Sequence, residues 1–210
     1  MKKIMFSVLS VVFMINSNAQ FIKNYGVKIG IVTSGQYTRN HIPDSAIDPI
    51  LSSGPTKNLI GFCIGLYSEF LDYSPFNLVF EGNYIQKGFR TEWTSYDLSS
   101  GKDVTYNYKT KFDYLNISLL AKLKILNGAI SPYLLFGPRL DFEIANMDSY
   151  YDIYNKFLPG LVVGAGSEIT IYKIKILTEL TYDSNFGNLY NDSNITIKSE
   201  SYQFKLGFIL

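Results

Sequence analysis

Apolar and polar residues alternate along much of the chain, most clearly between residues 113 and 144. Within residues 115–125 every second residue is apolar, and the positions between them include Lys122. The same alternation returns over residues 133–144, with Arg139 on the polar side. A period of two is typical of a β-strand that is apolar on one face only. The Asn127-Gly128 dipeptide between the two segments predicts a tight hairpin turn.

The rest of the chain repeats this pattern and predicts an all-β fold of eight strands. The predicted strands cover residues 24–34, 58–71, 76–92, 115–125, 133–144, 158–172, 174–184 and 202–210. Tight turns are expected at 72–75, 127–128 and 172–173, and longer polar segments at 36–57, 93–103, 145–156 and 185–198. Short and long connections at opposite ends are typical of an outer-membrane barrel. An even strand number lets the first and last strands pair, so we predict an eight-stranded antiparallel transmembrane up-and-down β-barrel.

The start of the chain indicates which face meets lipid. Lys2 and Lys3 precede an apolar run over residues 4–15, and the small residues Ser17 and Ala19 then occupy the two positions that a signal peptidase inspects. This pattern predicts a secretory signal peptide over residues 1–19 and a barrel domain over residues 20–210. In an exported barrel that crosses lipid, the apolar faces point outward and the charges point inward. A soluble lipocalin-like binding barrel, with the apolar faces inward and the polar faces outward, is the alternative.

Composition narrows the function. Aromatic residues make up 16% of the chain, which suits aromatic girdles at the membrane interfaces. A net charge of +1 gives no basic field for nucleic acid. Cys63 is the only cysteine, so it forms no internal disulfide and is interpreted as a small inward-facing filler. A lipid anchor would need a cysteine at the cleavage point, and Gln20 follows Ala19 there, so we expect no such anchor.

The inward faces carry cations and anions in similar number, which predicts a network of paired charges. An eight-stranded barrel is just wide enough for its side chains to fill it, and unpaired buried ions are costly. We therefore expect a filled lumen and no water channel. Catalysis by paired carboxylates is the competing interpretation. The predicted network consists of Lys28, Glu69, Glu81, Lys122, Arg139, Glu143, Glu168, Glu179 and Lys205.

No set of residues indicates catalysis, a cofactor or a metal. The one histidine, His41, lies in the first polar segment beside Pro43, where no predicted strand holds it next to a nucleophile. The sequence therefore predicts a non-enzymatic protein without a cofactor and identifies no small-molecule substrate. Aromatic residues in the polar segments are candidates for recognition, or alternatively for the outer aromatic girdle. These candidates are Trp93, Tyr96, Tyr150, Tyr151 and Tyr154.

Two segments carry a resemblance to a known family. Residues 114–120, YLNISLL, and residues 131–138, SPYLLFGP, resemble the core motifs of the PorT-like family. The similarity continues through residues 160–166 and 179–182 to Leu206-Gly207-Phe208, with Ser118 where the family usually has proline. The resemblance implies an outer-membrane β-barrel of the kind found in Gram-negative Bacteroidetes. Some members of that family are linked to protein secretion.

These observations predict a barrel in the outer membrane with a side-chain-filled lumen. It would act structurally or through binding by its loops. Its expected partners are outer-membrane lipid and, through protein contacts, secretion-machinery or other envelope proteins. An accessory subunit of a secretion machine and the soluble binding barrel are the two alternatives.

Overall fold

The computed structural model describes residues 22–38, 57–73, 75–97, 101–146, 155–172, 174–189 and 197–210. They form eight β-strands. In chain order these are β1 (Ile22–Thr38), β2 (Lys57–Tyr73), β3 (Phe76–Asp97), β4 (Lys102–Lys124), β5 (Ile130–Asn146), β6 (Phe157–Ile171), β7 (Ile174–Asn185) and β8 (Ile197–Ile209).

The strands form one closed sheet in which each is hydrogen-bonded to its neighbours in sequence. The barrel closes where β1 pairs antiparallel with β8, from Gly26 opposite Ile209 to Thr38 opposite Ile197. Closure pairs the two strands that would otherwise be open edges. The predicted eight-stranded up-and-down barrel is therefore confirmed.

The two faces of the strands differ sharply in chemistry. Large apolar side chains point outward, as shown by Ile60 and Phe204, which are 68% and 49% exposed. Charged side chains such as Lys28 and Glu81 point inward and are buried. This is the reverse of a soluble binding barrel, and it does not fit the lipocalin-like alternative. No helix in the described ranges is both long and apolar enough to cross a bilayer.

One end of the barrel, here called the turn end, carries the first and last described residues and three short connections. Two of these connections, 74–75 and 172–173, are two residues long. Leu71 near the first and Tyr172 within the second adopt positive φ angles of 54° and 55°. The predicted two-residue turn at Asn127-Gly128 is wrong. Five residues, 125–129, connect β4 to β5. Ser131 closes this connection, because its hydroxyl donates to the carbonyl of Gly128 and accepts from the Gly128 amide, both at 3.1 Å.

At the opposite end, here called the ribbon end, a second prediction is wrong. The segment 93–103 was expected to be a polar loop, but it belongs mostly to strands. β3 continues to Asp97 and β4 begins at Lys102. Alternating β-branched and aromatic residues such as Thr94, Val104 and Tyr106 favour pairing over a loop. Gly101, directly before β4, has a φ of 64°, which a glycine adopts without strain.

Candidate functional site

The lumen of the barrel contains three groups of paired charges, and the first lies nearest the turn end. In this turn-end cluster the Lys122 ammonium pairs with Glu69 and lies 3.5 Å from Glu168. Lys124 also pairs with Glu168 at 2.8 Å. Asn24 donates to the second oxygen of Glu69 at 2.9 Å. These side chains come from β1, β2, β4 and β6, so the cluster joins strands on different sides of the barrel.

The central cluster consists of Lys28, Glu81, Glu179 and Lys205. The Lys28 ammonium lies 2.5 Å from Glu81 and 2.7 Å from Glu179. Lys205 pairs with the other oxygen of Glu81 at 3.2 Å. All four residues are buried. Because β3 and β7 lie on opposite sides of an eight-stranded ring, Lys28 connects one wall to the other through its two glutamates.

The ribbon-end cluster consists of Lys87, Arg139, Asp141 and Asp183. Lys87 lies 3.0 Å from an oxygen of each aspartate. The Arg139 guanidinium pairs with Asp141 and lies 3.4 Å from Asp183. It also donates to the side-chain oxygen of Asn185. Two cations and two anions therefore neutralise each other where only 1% of Arg139 is exposed.

Neutral polar residues complete the hydrogen bonding of the two aspartates. Asn116 donates to Asp141 at 2.5 Å. Ser201 and Gln203 donate to Asp183 at 2.5 and 2.6 Å. Buried carboxylates accept several bonds when ionised, and donors of this kind lower the cost of removing them from water. The carboxylates are thus fixed by β4 and β8 as well as by the cations.

Two side chains connect the clusters along the barrel axis. The Tyr133 hydroxyl donates to Glu179 of the central cluster at 2.8 Å, and its ring lies 4.2 Å from the Lys122 ammonium. In the other direction Asn83 donates to Asn116 at 3.4 Å, a weak link to the ribbon-end cluster. The three clusters therefore form one connected polar column. Its charged members are Lys28, Lys87, Lys122, Lys124, Arg139 and Lys205, with Glu69, Glu81, Asp141, Glu168, Glu179 and Asp183.

Apolar side chains fill the space beside and above this column. One buried group, which includes Val79, Leu120 and Leu135, lies among the charges. Another closes the ribbon end and contains Phe89, Phe112, Tyr114, Leu158 and Leu189. Cys63 packs with Val32 and Ile85, as the interpretation of an inward filler requires. Both the paired charges and these apolar groups occupy the lumen, which leaves a plug of side chains in place of a continuous passage.

The segment after β7 helps to hold the outer apolar plug. Its Leu189 is 2% exposed and packs into the barrel mouth. The Asn155 amide nitrogen donates to the Leu189 carbonyl at 2.9 Å, and the Asn155 side chain donates to the Asn188 carbonyl at 2.7 Å. At its start, the Phe186 amide donates to the Pro159 carbonyl at 2.8 Å.

The structure places eight of the nine predicted lumen charges in these clusters. Glu143 is the exception, since it is half-buried near the ribbon end and is not part of the three clusters described. Sequence reasoning left out Lys87, Lys124, Asp141 and Asp183. Their positions in the sequence could have identified them as inward-facing, because they have the same strand parity as the other inward residues. Strand parity does not show which strands face each other across the lumen.

A two-stranded ribbon extends from the barrel at the ribbon end. β2 pairs with β3 only up to Arg90, and β5 pairs with β4 only from Phe112 onward. Beyond these points β3 and β4 pair with each other alone, through seven further pairs from Thr91 opposite Tyr108 to Asp97 opposite Lys102. At about 3.4 Å per residue, this ribbon of residues 91–111 projects about 20 Å.

The ribbon contains two of the five residues that were predicted to serve in recognition. Trp93 and Tyr96 lie on β3 within it and not in a loop, so that part of the prediction is wrong. Tyr150, Tyr151 and Tyr154, as well as His41, lie outside the described residues. Tyr106 and Tyr108, which the sequence analysis passed over, are 43% and 48% exposed on β4. Their alternation with Thr105 and Asn107 could have predicted that they lie on one face of a strand.

The lumen carboxylates are paired with cations. Each carboxylate of the central and ribbon-end clusters contacts a cation at 3.4 Å or less. Within the described residues, no group of three or more His, Cys, Asp and Glu side chains is arranged to hold a metal ion. The arrangement stabilises the barrel and blocks its lumen, while the ribbon presents the exposed aromatic groups.

A closed barrel with an apolar exterior and a charged, filled interior defines the class of an integral outer-membrane β-barrel protein. The family model of the outer membrane protein beta-barrel domain matches residues 18–191. The chain belongs to this family, and its location is the outer membrane. Short connections of such barrels face the periplasm, so the ribbon end is the outer one. No match was found among curated proteins.

Several solved structures are similar to this chain. OprG from Pseudomonas aeruginosa matches with a TM-score of 0.53 and 11% identity, over 91% of this chain and 97% of that one. Neisserial surface protein A has a TM-score of 0.48 and 13% identity, over 88% and 96%. Ail of Yersinia pestis, in complex with the heparin analogue sucrose octasulfate, has a TM-score of 0.42 and 15% identity, over 89% and 98%. At these identities the likeness to OprG supports the fold alone.

Proposed function

We propose that this protein is a non-enzymatic outer-membrane barrel that binds a protein partner through the ribbon of residues 91–111. The observation that carries this proposal is that β3 and β4 continue to pair with each other for seven residue pairs beyond their pairing with β2 and β5. The filled lumen supports a structural role for the barrel itself. The barrel would serve as a rigid base that holds the ribbon at the cell surface.

Two features of the ribbon suit protein binding. Its outer edges have no strand partner among the described residues, and an unpaired edge can accept an extended segment of another chain. Tyr106 and Tyr108 lie on one face of β4, because they are two residues apart. Tyrosines are frequent anchors of protein interfaces since they combine a large apolar ring with a hydroxyl group.

We also propose that residues 1–19 are a signal peptide and that the mature barrel begins near residue 20. Within the family, the motifs at residues 114–120 and 131–138 support a PorT-like membership. A role as accessory subunit of a secretion machine rests on that resemblance alone. No feature of the described barrel favours it over a general binding role.

Site-specific photocrosslinking in intact cells tests the proposed binding. A photoreactive phenylalanine analogue would replace Tyr106 or Tyr108 in the ribbon, and Tyr202 as the matched control. Tyr202 is 53% exposed, but it belongs to the outward face of the barrel wall. We expect a discrete protein adduct from the two ribbon positions and none from Tyr202. Ribbon positions that give no adduct, or only the adducts seen at Tyr202, would contradict the proposal.

A further inference from the structure

Four cationic side chains lie together at the base of the ribbon, on its outward face. Lys57 of β2 lies directly opposite Arg90 of β3, and Arg90 lies directly opposite Lys109 of β4. Directly opposite residues of antiparallel strands project on the same face, with Cβ atoms about 4.5–5.5 Å apart. Lys111 is two residues from Lys109 and so shares that face. These four residues are here called the cationic row.

The cationic row is unfavourable within the protein alone. Like charges directly opposite each other destabilise a sheet. Glu92 compensates one of them, since it pairs with Lys57 at 2.6 Å. Within the described part of the chain, Arg90, Lys109 and Lys111 form no ion pair. An anion placed against the row would convert this repulsion into attraction.

The position of the cationic row relative to the lipid bilayer indicates the source of such an anion. The outward face of β4 is apolar at Leu119 and Leu115, and it becomes polar at Asp113. Gln86 donates to Asp113 at 3.2 Å, so this carboxylate already has a donor partner. Lys111 lies four residues beyond Leu115, which is about 10 Å along the bilayer normal for a strand tilted by 35–45°. The row therefore begins at the headgroup layer of the outer leaflet.

We propose that the cationic row binds the phosphate group of an anionic lipid in the outer leaflet. The planar guanidinium of Arg90 can donate two parallel hydrogen bonds to one phosphate, and the lysines supply point charges beside it. The apolar wall directly below the row would contact the acyl chains of the same lipid. This inference does not depend on the ribbon's protein partner, because it concerns the base of the ribbon and a different ligand.

The test measures lipid binding by the full-length barrel in phosphatidylcholine nanodiscs that contain diphosphoryl lipid A as a minor component. The test variant is Arg90→Gln/Lys109→Gln. The control Lys23→Gln/Lys102→Gln removes two exposed cations outside the row. A cation near an anionic membrane surface contributes about 1 kcal/mol, or about fivefold in affinity. We expect lipid A binding to weaken about 25-fold in the test variant and less than threefold in the control.

A charge-preserving variant, Arg90→Lys/Lys109→Arg, separates lost charge from lost folding and should retain most of the binding. Equal lipid A binding by the test variant and the parent would overturn the proposal. Preference for lipid A no greater than for phosphatidylcholine would overturn it too. Competition by free inorganic phosphate at the concentration of lipid A would show a site for soluble phosphate and would also reject the lipid assignment. Raised salt should weaken binding by the parent, since exposed charges are screened.

Discussion

Lys87 and Asp183 form an ion pair across the full width of the lumen, with the ammonium nitrogen 3.0 Å from a carboxylate oxygen. Lys87 lies on β3 and Asp183 on β7, four strands apart in a ring of eight. A long lysine and a short aspartate together span this distance only if the interior is narrow. The pair therefore shows directly that side chains occupy the lumen.

Removing a charge from the ribbon-end cluster should destabilise the barrel. For Arg139→Ala we expect a loss of roughly 3–5 kcal/mol in the free energy of unfolding, because Asp141 and Asp183 would keep only Lys87 as cation in a buried site. Reversible urea unfolding in lipid or detergent measures this. The matched variant Arg90→Ala, at an exposed position, should change stability by less than about 1 kcal/mol. Similar losses for both arginines would contradict the paired interior.

Arginine at an outward apolar position should also be costly. Leu119→Arg places a charge in lipid and should reduce stability by about 2–4 kcal/mol if residue 119 lies near the midplane. Thr105→Arg on the same strand provides the comparison, since residue 105 belongs to the ribbon beyond the barrel rim. We expect a change near zero there. The same unfolding assay applies, and a negligible effect at Leu119 would mean that this face does not contact lipid.

The purified protein should not conduct ions like a porin. Its lumen contains three paired clusters and an apolar plug, so a hydrated ion would have to displace several ion pairs. Planar-bilayer recording should show no steady conductance above the lipid background, while a wide porin recorded in the same chamber serves as positive control. A stable open level from single barrels would reject the filled lumen and favour transport as the function.

Cys63 should be protected in the folded barrel. Only 3% of the residue is exposed, and it packs against Val32 and Ile85. A charged maleimide should label it slowly in the native protein and rapidly in urea. As a control, Thr105→Cys in a Cys63→Ala background should label at once without denaturant, because residue 105 is exposed on the ribbon. Equally rapid labelling of native Cys63 would show that the lumen near this residue is open.

Removing the ribbon should leave the barrel intact. Replacing residues 92–107 by Asn-Gly would delete only strand pairs that no other described strand shares. We expect the urea midpoint to change little, and crosslinking from the remaining Tyr108 position to be lost. Circular dichroism and heat-dependent gel mobility check the fold. Collapse of the barrel would show that the ribbon is part of its folding core instead of a separate binding element.

The sequence alone predicted much of the structure of the barrel wall and less of the structure at the two ends of the barrel. The period of two fixes which residues share a face, and this is why Lys28, Glu81 and Glu179 were expected inside. It does not distinguish a polar strand from a polar loop, and the ribbon at Thr94 and Val104 was therefore read as a connection. Pairing of β3 with β4 stabilises these residues as strands outside the membrane, where no apolar face is needed.

Strand number and strand parity were determined by the sequence, because each depends only on local alternation. The expected export of the chain into an outer membrane then assigned the charged faces to the interior. The partners of those charges were decided by the tertiary structure. Lys87 meets Asp183 and Asp141, at sequence separations of 96 and 54 residues, because closure of the barrel brings β7 opposite β3 and places β5 two strands away from β3. Likewise Lys57, Arg90 and Lys109 form one row only through the register of three adjacent strands. Register depends on pairing between strands, which alternation within a single strand does not specify.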